Sequence, residues 1–463
     1  MERKNAWAAY AEDDSRVEAF AKAYCDFINN GKTERECVAY GEKLAKAHGF
    51  EDLNAVIRSG RKLEAGARVY ANWMGKSFML FVLGAKPLEE GMNILGAHID
   101  SPRIDVKQNP LYEDGDLAYL DTHYYGGIKK YQWVAMPLAL HGVIIKKNGE
   151  KVPVNIGEDE NDPVFCISDL LIHLAQEQMA KNAKDVVEGE ALNLIVGGRP
   201  LAGEEKDAVK ANVLKLLDDK YGVEEEDFLS AELEIVPAGK ARDMGFDRSM
   251  ILGYGHDDRV CAYPSMMAVL DYEGTPDYTL CCIITDKEEI GSVGATGMAS
   301  HYLENTVAEL YACTADYCEL AVRRCLRNSR MLSSDVSAGY DPNFASAFEK
   351  KNSAFLGRGI CFNKFTGSRG KSGSNDANPE FMASLRKIMD DAGVAFQTAE
   401  LGRVDLGGGG TIAYLCAKYG MNVIDSGIAV LSMHAPYEII SKVDLYEGYR
   451  CYCAFLKGAK PVD

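Results

Sequence analysis

Asn93-Ile94-Leu95-Gly96-Ala97-His98-Ile99-Asp100-Ser101-Pro102 is the stretch on which the fold turns. The apolar run 93–97 reads as a buried strand ending at His98-Ile99-Asp100, and in open α/β sheets ligands gather at the carboxyl ends of strands. Upstream, residues 68–73 and 77–83 flank Met74-Gly75-Lys76 and read as two short strands. The first fifty residues carry apolar positions at helical spacing, through Val17, Phe20, Ala21 and Tyr24 and again through Ala39, Leu44 and Ala47. Beyond residue 250 strand and helix alternate again, with strands expected near 278–285, 331–334, 359–362 and 421–425.

Between residues 105 and 245 the texture differs. Strands dominate, with a hairpin signal at Lys147-Asn148-Gly149 between Val143-Ile144-Ile145 and Val152-Pro153-Val154. One helix is expected at 167–181. The acidic stretches Gly203-Glu204-Glu205-Lys206 and Glu224-Glu225-Glu226-Asp227 read as solvated loops or helix ends. The expected fold class is α/β: one discontinuous domain of residues 1–104 and 246–463, interrupted by an inserted, mainly β domain at 105–245.

Composition narrows the function. Lys and Arg number 51 against 69 Asp and Glu, a formal charge of −18 that argues against nucleic acid or an anionic membrane as partner. Bound cations would offset part of it. No run of about 18 apolar residues occurs, so no membrane span is expected. The N-terminal Met1-Glu2-Arg3-Lys4-Asn5 runs into a charged helical pattern without the apolar stretch of a secretory signal. The thirteen cysteines lie in apolar contexts such as Cys281-Cys282 and form no Cys-x-x-Cys pair, as expected of a reduced cytoplasmic setting.

The residues able to carry chemistry sit at element ends. His98 and His434, in Ser432-Met433-His434-Ala435-Pro436, close expected strands; Asp257-Asp258-Arg259 opens a helix; Glu288-Glu289 follows the strand 278–285; Asp335 closes the strand beginning at Met331. Carboxylates brought together repel and pay desolvation, so such a set calls for positive charge. Two divalent cations would supply it, and His, Asp and Glu without thiolate suit zinc, cobalt or manganese. Of Glu288 and Glu289, one is free to bind metal while the other serves as a base. Gly291, Gly294 and Gly297 imitate a phosphate loop, but no Lys-Ser/Thr follows. The absence of a Gly-x-Ser-x-Gly elbow argues against a serine hydrolase.

The order Ala97-His98-Ile99-Asp100-Ser101-Pro102, Asp257-Asp258-Arg259-Val260, Asp286-Lys287-Glu288-Glu289-Ile290-Gly291-Ser292, Ser334-Asp335 and Leu431-Ser432-Met433-His434 resembles the aspartyl aminopeptidase family of dinuclear zinc exopeptidases. The likeness spans almost the whole chain, including Tyr125-Gly126-Gly127 in the insert. It implies a zinc-exopeptidase-like α/β/α catalytic domain and removal of N-terminal residues from peptide substrates by a water activated at two divalent ions, zinc or else cobalt or manganese. By position it implies His98 and Glu289 on one metal, Asp335 and His434 on the other, and Asp257 bridging both. Asp100 would orient His98, and Glu288 would be the general base. It implies a cytoplasmic homo-oligomer, often a dodecamer, with the insert as dimerisation and lid domain.

The chain departs from the family in two places. Where members commonly read Asp-Met-Ala-His-Ala-x-His-Pro-Asn, it has Asp335-Val336-Ser337-Ala338-Gly339-Tyr340-Asp341-Pro342-Asn343; the insert reads Gly127-Ile128-Lys129-Lys130-Tyr131-Gln132-Trp133 where acid-preferring members often place a Trp-His pair. The ligand set is intact, so these departures bear on preference for N-terminal Asp or Glu and leave hydrolysis untouched. A deacylase or carboxypeptidase on the same scaffold is the competing expectation. It needs a cationic clamp for a substrate carboxylate, for which Arg259, Arg369 and Arg403 are the candidates.

Overall fold

Unbroken apolar runs on buried strands need cover on both sheet faces, and the fold supplies it. The computed structural model describes residues 4–462, which form two compact units. The first holds the chain up to Asp100, residues 241–433 and the chain from Glu438 on; the second holds residues 101–240 and 434–437.

The first unit is built on a nine-stranded sheet. Its centre is the parallel set Thr279–Thr285, Met92–His98, Arg330–Ser334 and Asn422–Gly427, in that spatial order. Ser77–Val82 and then Arg68–Trp73 extend it antiparallel on one side; Ile360–Asn363 joins antiparallel on the other, followed by the edge strand Phe396–Thr398. Successive strand side chains point to opposite faces. Leu95, Ala97, Leu332 and Ile424 therefore enter one core with Tyr24, Val260, Phe381 and Tyr452. Ile94, Ile283, Met331 and Val423 enter another with Leu303, Val307, Val322 and Leu326. Helices Ser15–Asn30, His256–Leu270, Pro379–Ala392 and Lys442–Gly458 supply the first core; Tyr302–Ala312 and Glu319–Arg327 supply the second. This is the α/β/α layering that the family resemblance implied. A separate five-stranded sheet in this unit, which includes Met250–Gly253, Glu438–Ser441, Ala429–Leu431 and Ser337–Ala338, was not anticipated.

The second unit is an antiparallel six-stranded sheet in the order Lys151–Ile156, Leu138–Ile145, Ala231–Pro237, Arg103–Asp114, Leu117–Tyr125, Leu194–Gly197. The expected hairpin forms, with Gly149 at φ 86° in its turn. The helix expected at 167–181 does not. That segment makes only a 3₁₀ turn, Ile172–Leu174, and a short helix, Gln176–Met179, with Leu170, Leu171, Ile172, Leu174 and Met179 exposed. Its apolar residues run consecutively at 170–172, so no single helical stripe can bury them. The unit's longer helix is Ala208–Tyr221, ended by Gly222 in the left-handed conformation.

Back in the first unit, Gly427 ends its strand against the backbone of Asp335. A Cβ at 427 would lie 1.7 Å from the Asp335 carbonyl oxygen and 2.6 Å from its carbon. Gly427→Ala must push that backbone away, an overpacking cost of about 1–3 kcal/mol. The expected result is a lower urea midpoint at an unchanged m-value; an unaltered midpoint would show that the strand end yields freely.

Candidate metal centre

Register brings the site residues together. Thr285 lies opposite His98, and Ser333 opposite Gly96. Asp335, two residues beyond Ser333, therefore comes level with His98, and the 3₁₀ turn Glu288–Ile290 follows Thr285 at the same end of the sheet. The remaining contributor is the start of helix His256–Leu270, where Asp257 and Asp258 are non-helical and joined by a cis peptide bond.

Ligand atoms of His98, Asp257 and Glu289 lie within 4.8 Å of one another, and so do those of His98, Asp258 and Asp335. His98 Nε2 is 3.2 Å from Asp257 Oδ1 and 3.9 Å from Asp335 Oδ1. On the other side of the ring, Nδ1 stands 2.9 Å from the Asp100 carbonyl oxygen and 3.3 Å from Asp100 Oδ1. A carbonyl only accepts, so Nδ1 carries the proton and the neutral ring keeps its lone pair on Nε2. That lone pair faces carboxylate oxygens, an arrangement that is repulsive unless a proton or a cation lies between them.

The electrostatics of these residues express the same excess of negative charge. Burial first, and the charge of Asp335 second, push Glu288 up to about 8. The same two causes hold Asp258 well above the usual carboxylate range. Burial works against a charged His98, but its hydrogen bonds to Asp100, Asp257 and Asp335 outweigh that and raise it well above its ordinary value. Apart from a weak contact with the Cys261 thiol, neither buried oxygen of Asp258 has a hydrogen-bond partner. Oxygen and imidazole donors crowded in this way, with no thiolate among the two groups, fit a divalent cation such as zinc.

Asp100 does more than face His98. Its Oδ1 accepts the backbone N–H of Glu288 and its Oδ2 that of Glu289, each at 3.1 Å. One carboxylate thus holds the turn that presents both glutamates. His434 belongs to the second unit, where its Nδ1 is 2.9 Å from the Gly127 carbonyl oxygen. This places the proton on Nδ1 and the lone pair on Nε2, the tautomer also found at His98.

A single family description, Aminopeptidase I zinc metalloprotease (M18), matches the chain from residue 27 to residue 456. The chain belongs to the M18 family. A probable M18 family aminopeptidase 1 of Clostridium acetobutylicum is 59% identical over 458 residues, 98% of each chain. The solved M18 aminopeptidase of Thermotoga maritima matches with a TM-score of 0.94 at 43% identity, covering 99% of this chain and 100% of that one. The S. cerevisiae mApe1 dodecamer, at 22% identity, shares the fold with a TM-score of 0.75 over 96% of this chain and 97% of that one. This M18 protein is accordingly a hydrolase, a zinc metalloprotease of the aminopeptidase class that cleaves peptides at their N-terminus.

One candidate role changes in the light of the M18 structure. Arg259 is buried: its Nε donates to the Ile99 carbonyl at 3.1 Å and its Nη2 to the Lys32 carbonyl at 2.8 Å. It is a structural brace behind the strand of His98 and is not placed to clamp a substrate. Arg403, by contrast, is exposed and donates from Nη1 to the Ser346 carbonyl at 3.1 Å. Asp341, where the family pattern has its second histidine, caps the turn Pro342–Ala347 by accepting from Asn343 N at 2.8 Å. The residue that the sequence left without a role is Asp258. It had been read only as the neighbour of Asp257, and the adjacency was the one available signal.

Replacing Asp100 by Ala frees the glutamate turn, while the backbone carbonyl that accepts from His98 Nδ1 stays in place. Loss of such an outer hydrogen-bond partner costs about 10–100-fold in metal affinity or activity. The expected variant is folded by circular dichroism, with that loss seen in metal content or kcat; wild-type values for both would remove Asp100 from the site.

Proposed function

We propose that the aminopeptidase works through a pair of divalent cations held by His98, Asp257, Glu289, Asp335 and His434, with Glu288 as the proton carrier. The observation that supports this most directly is the His98 Nε2 lone pair facing Asp257 and Asp335, beside a Glu288 raised to about 8. When bound, the cations supply Lewis-acid polarisation of the scissile carbonyl and a more acidic water. Glu288 would take a proton from that water and return it to the departing amine. Asp100 keeps Glu288 and Glu289 at fixed positions throughout. The carboxylate-rich strand ends attract the charged α-amino group of a peptide. With Arg259 turned inward, the carboxypeptidase reading loses one of its candidate clamps.

Preference for an acidic N-terminal residue rests on the family resemblance alone, and Asp341 opposes it by placing a carboxyl group where members carry an imidazole. The proposal further includes a homo-oligomer in which the second unit, read as residues 105–245, mediates dimer contacts and covers the site, in keeping with the dodecameric yeast relative. A cytoplasmic setting agrees with thirteen free cysteines, and no helix among the described residues is long and apolar enough to cross a membrane.

The decisive assay is hydrolysis of aminoacyl p-nitroanilides of Asp, Glu, Leu, Lys and Ala, each with a free and an acetylated amine, with chelator and with zinc, cobalt or manganese. Metal-dependent release from the free amines alone is expected; comparable release from the acetylated series would sink the aminopeptidase mechanism. Glu288→Gln should retain its metal while kcat falls by about 10²–10⁴-fold, the usual worth of a general base. Near-normal turnover in that variant would transfer the role elsewhere.

A further inference from the structure

We propose that the catalytic unit carries a second binding site, a pocket for a small, multiply charged oxyanion at the far edge of its sheet. The pocket has a volume of about 430 Å³ and lies along the edge strand Phe396–Thr398. That strand is four positions from the one bearing His98, about 19 Å at the usual strand spacing. Lys351, Arg358 and Arg386 line it together with Phe355, Met382 and Thr398, and no carboxylate does. Among the described residues none of the three cations is in an ion pair. On a chain with a net charge of −18, three cations line one cavity, and the nearby Glu349 carboxylate accepts the backbone N–H groups of Lys351 and Asn352 and pairs with none of the three cations.

The site is built from beneath. Gln397, 5% exposed, accepts the Phe355 N–H at 2.9 Å and donates to the carbonyls of Phe355 and Gly359 at 2.9 and 3.1 Å. Asp444, fully buried, accepts the N–H groups of Gly357 and Gly359 at 2.6 and 2.7 Å. Both glycines are at φ near +80°, and a Cβ at Gly359 would fall 2.0 Å from the Ala395 carbonyl oxygen. Two buried polar side chains thus fix loop 355–359 from within, and the loop presents Arg358 with its guanidinium 4.2 Å from the centre of the Phe355 ring. Stacking occupies the face of a guanidinium and leaves its in-plane N–H donors for a planar or tetrahedral oxyanion. Because the backbone is already ordered, little further entropy is lost on binding. The cavity suits a phosphate- or polycarboxylate-bearing small molecule.

The test is calorimetric titration of the metal-loaded enzyme with inorganic phosphate and, separately, with citrate, at constant ionic strength. One saturable site per chain is expected. Arg386→Glu, on the exposed face of helix Pro379–Ala392, should weaken binding more than tenfold, as should Arg358→Ala, while kcat/KM for an aminoacyl p-nitroanilide stays at the wild-type value. Tighter phosphate would assign a phosphate-bearing ligand, and tighter citrate a polycarboxylate. Absence of saturable binding by either anion would overturn the proposal, and so would equal affinity in wild type and Arg386→Glu, because the anion would then sit at the metal centre.

Discussion

Mutual repulsion among Asp257, Asp258, Glu288, Glu289 and Asp335, gathered around one imidazole, is the constraint that the catalytic unit is organised to withstand. Water would relieve it by screening, but the cluster sits at the ends of buried strands, where screening is weak, and Asp258 and Glu288 instead shift toward their protonated forms. Holding these groups in place takes the register of the central parallel strands, two apolar cores that make the sheet rigid, and the Asp100 carboxylate that pins the glutamate turn. The energy invested in that scaffold is returned only when positive charge arrives.

Much of the catalytic unit was legible because its strands are continuous apolar runs that stop abruptly at a polar residue. The stretch 93–97 ending at His98 appears as Met92–His98, and 68–73 as Arg68–Trp73. Burial on both faces writes itself into sequence as an unbroken run, and turns such as Lys147-Asn148-Gly149 announce themselves by residue type. The small five-stranded sheet was not legible, since strands as short as Ser337–Ala338 and Ala429–Leu431 carry no measurable period. The segment 167–181 departs from its expected helix for a different reason: Leu170-Leu171-Ile172 is a consecutive apolar run, which no single helical stripe accommodates.

The site was legible in its residue types and less so in its wiring. His98, Glu288, Glu289, Asp257 and Asp335 all stand out in sequence by their places at element ends, yet sequence could not show that Asp258 brings a carboxylate oxygen within 4.8 Å of ligand atoms of His98 and Asp335. Two adjacent carboxylates look identical until the backbone that separates them is known. Nor could sequence show that Asp100 contributes its backbone carbonyl to His98 and its side chain to the glutamate turn. Arg259 illustrates the converse, a charged residue beside the site whose hydrogen bonds run inward to the Ile99 and Lys32 carbonyls.

The turn that presents Glu288 and Glu289 is 3₁₀ in form. With three residues per turn, consecutive side chains leave such a helix about 120° apart. One turn therefore aims two chemically identical groups in different directions, so that in the proposed mechanism what separates a ligand from a base is phase along the backbone and not side-chain chemistry. A one-residue insertion ahead of Lys287 would carry Glu288 into the place of Glu289 and leave Lys287 in the place of Glu288, and a deletion would bring Glu289 and Ile290 there, which makes the length of the segment between Thr285 and Glu288 as much a part of the proposed site as any carboxylate in it.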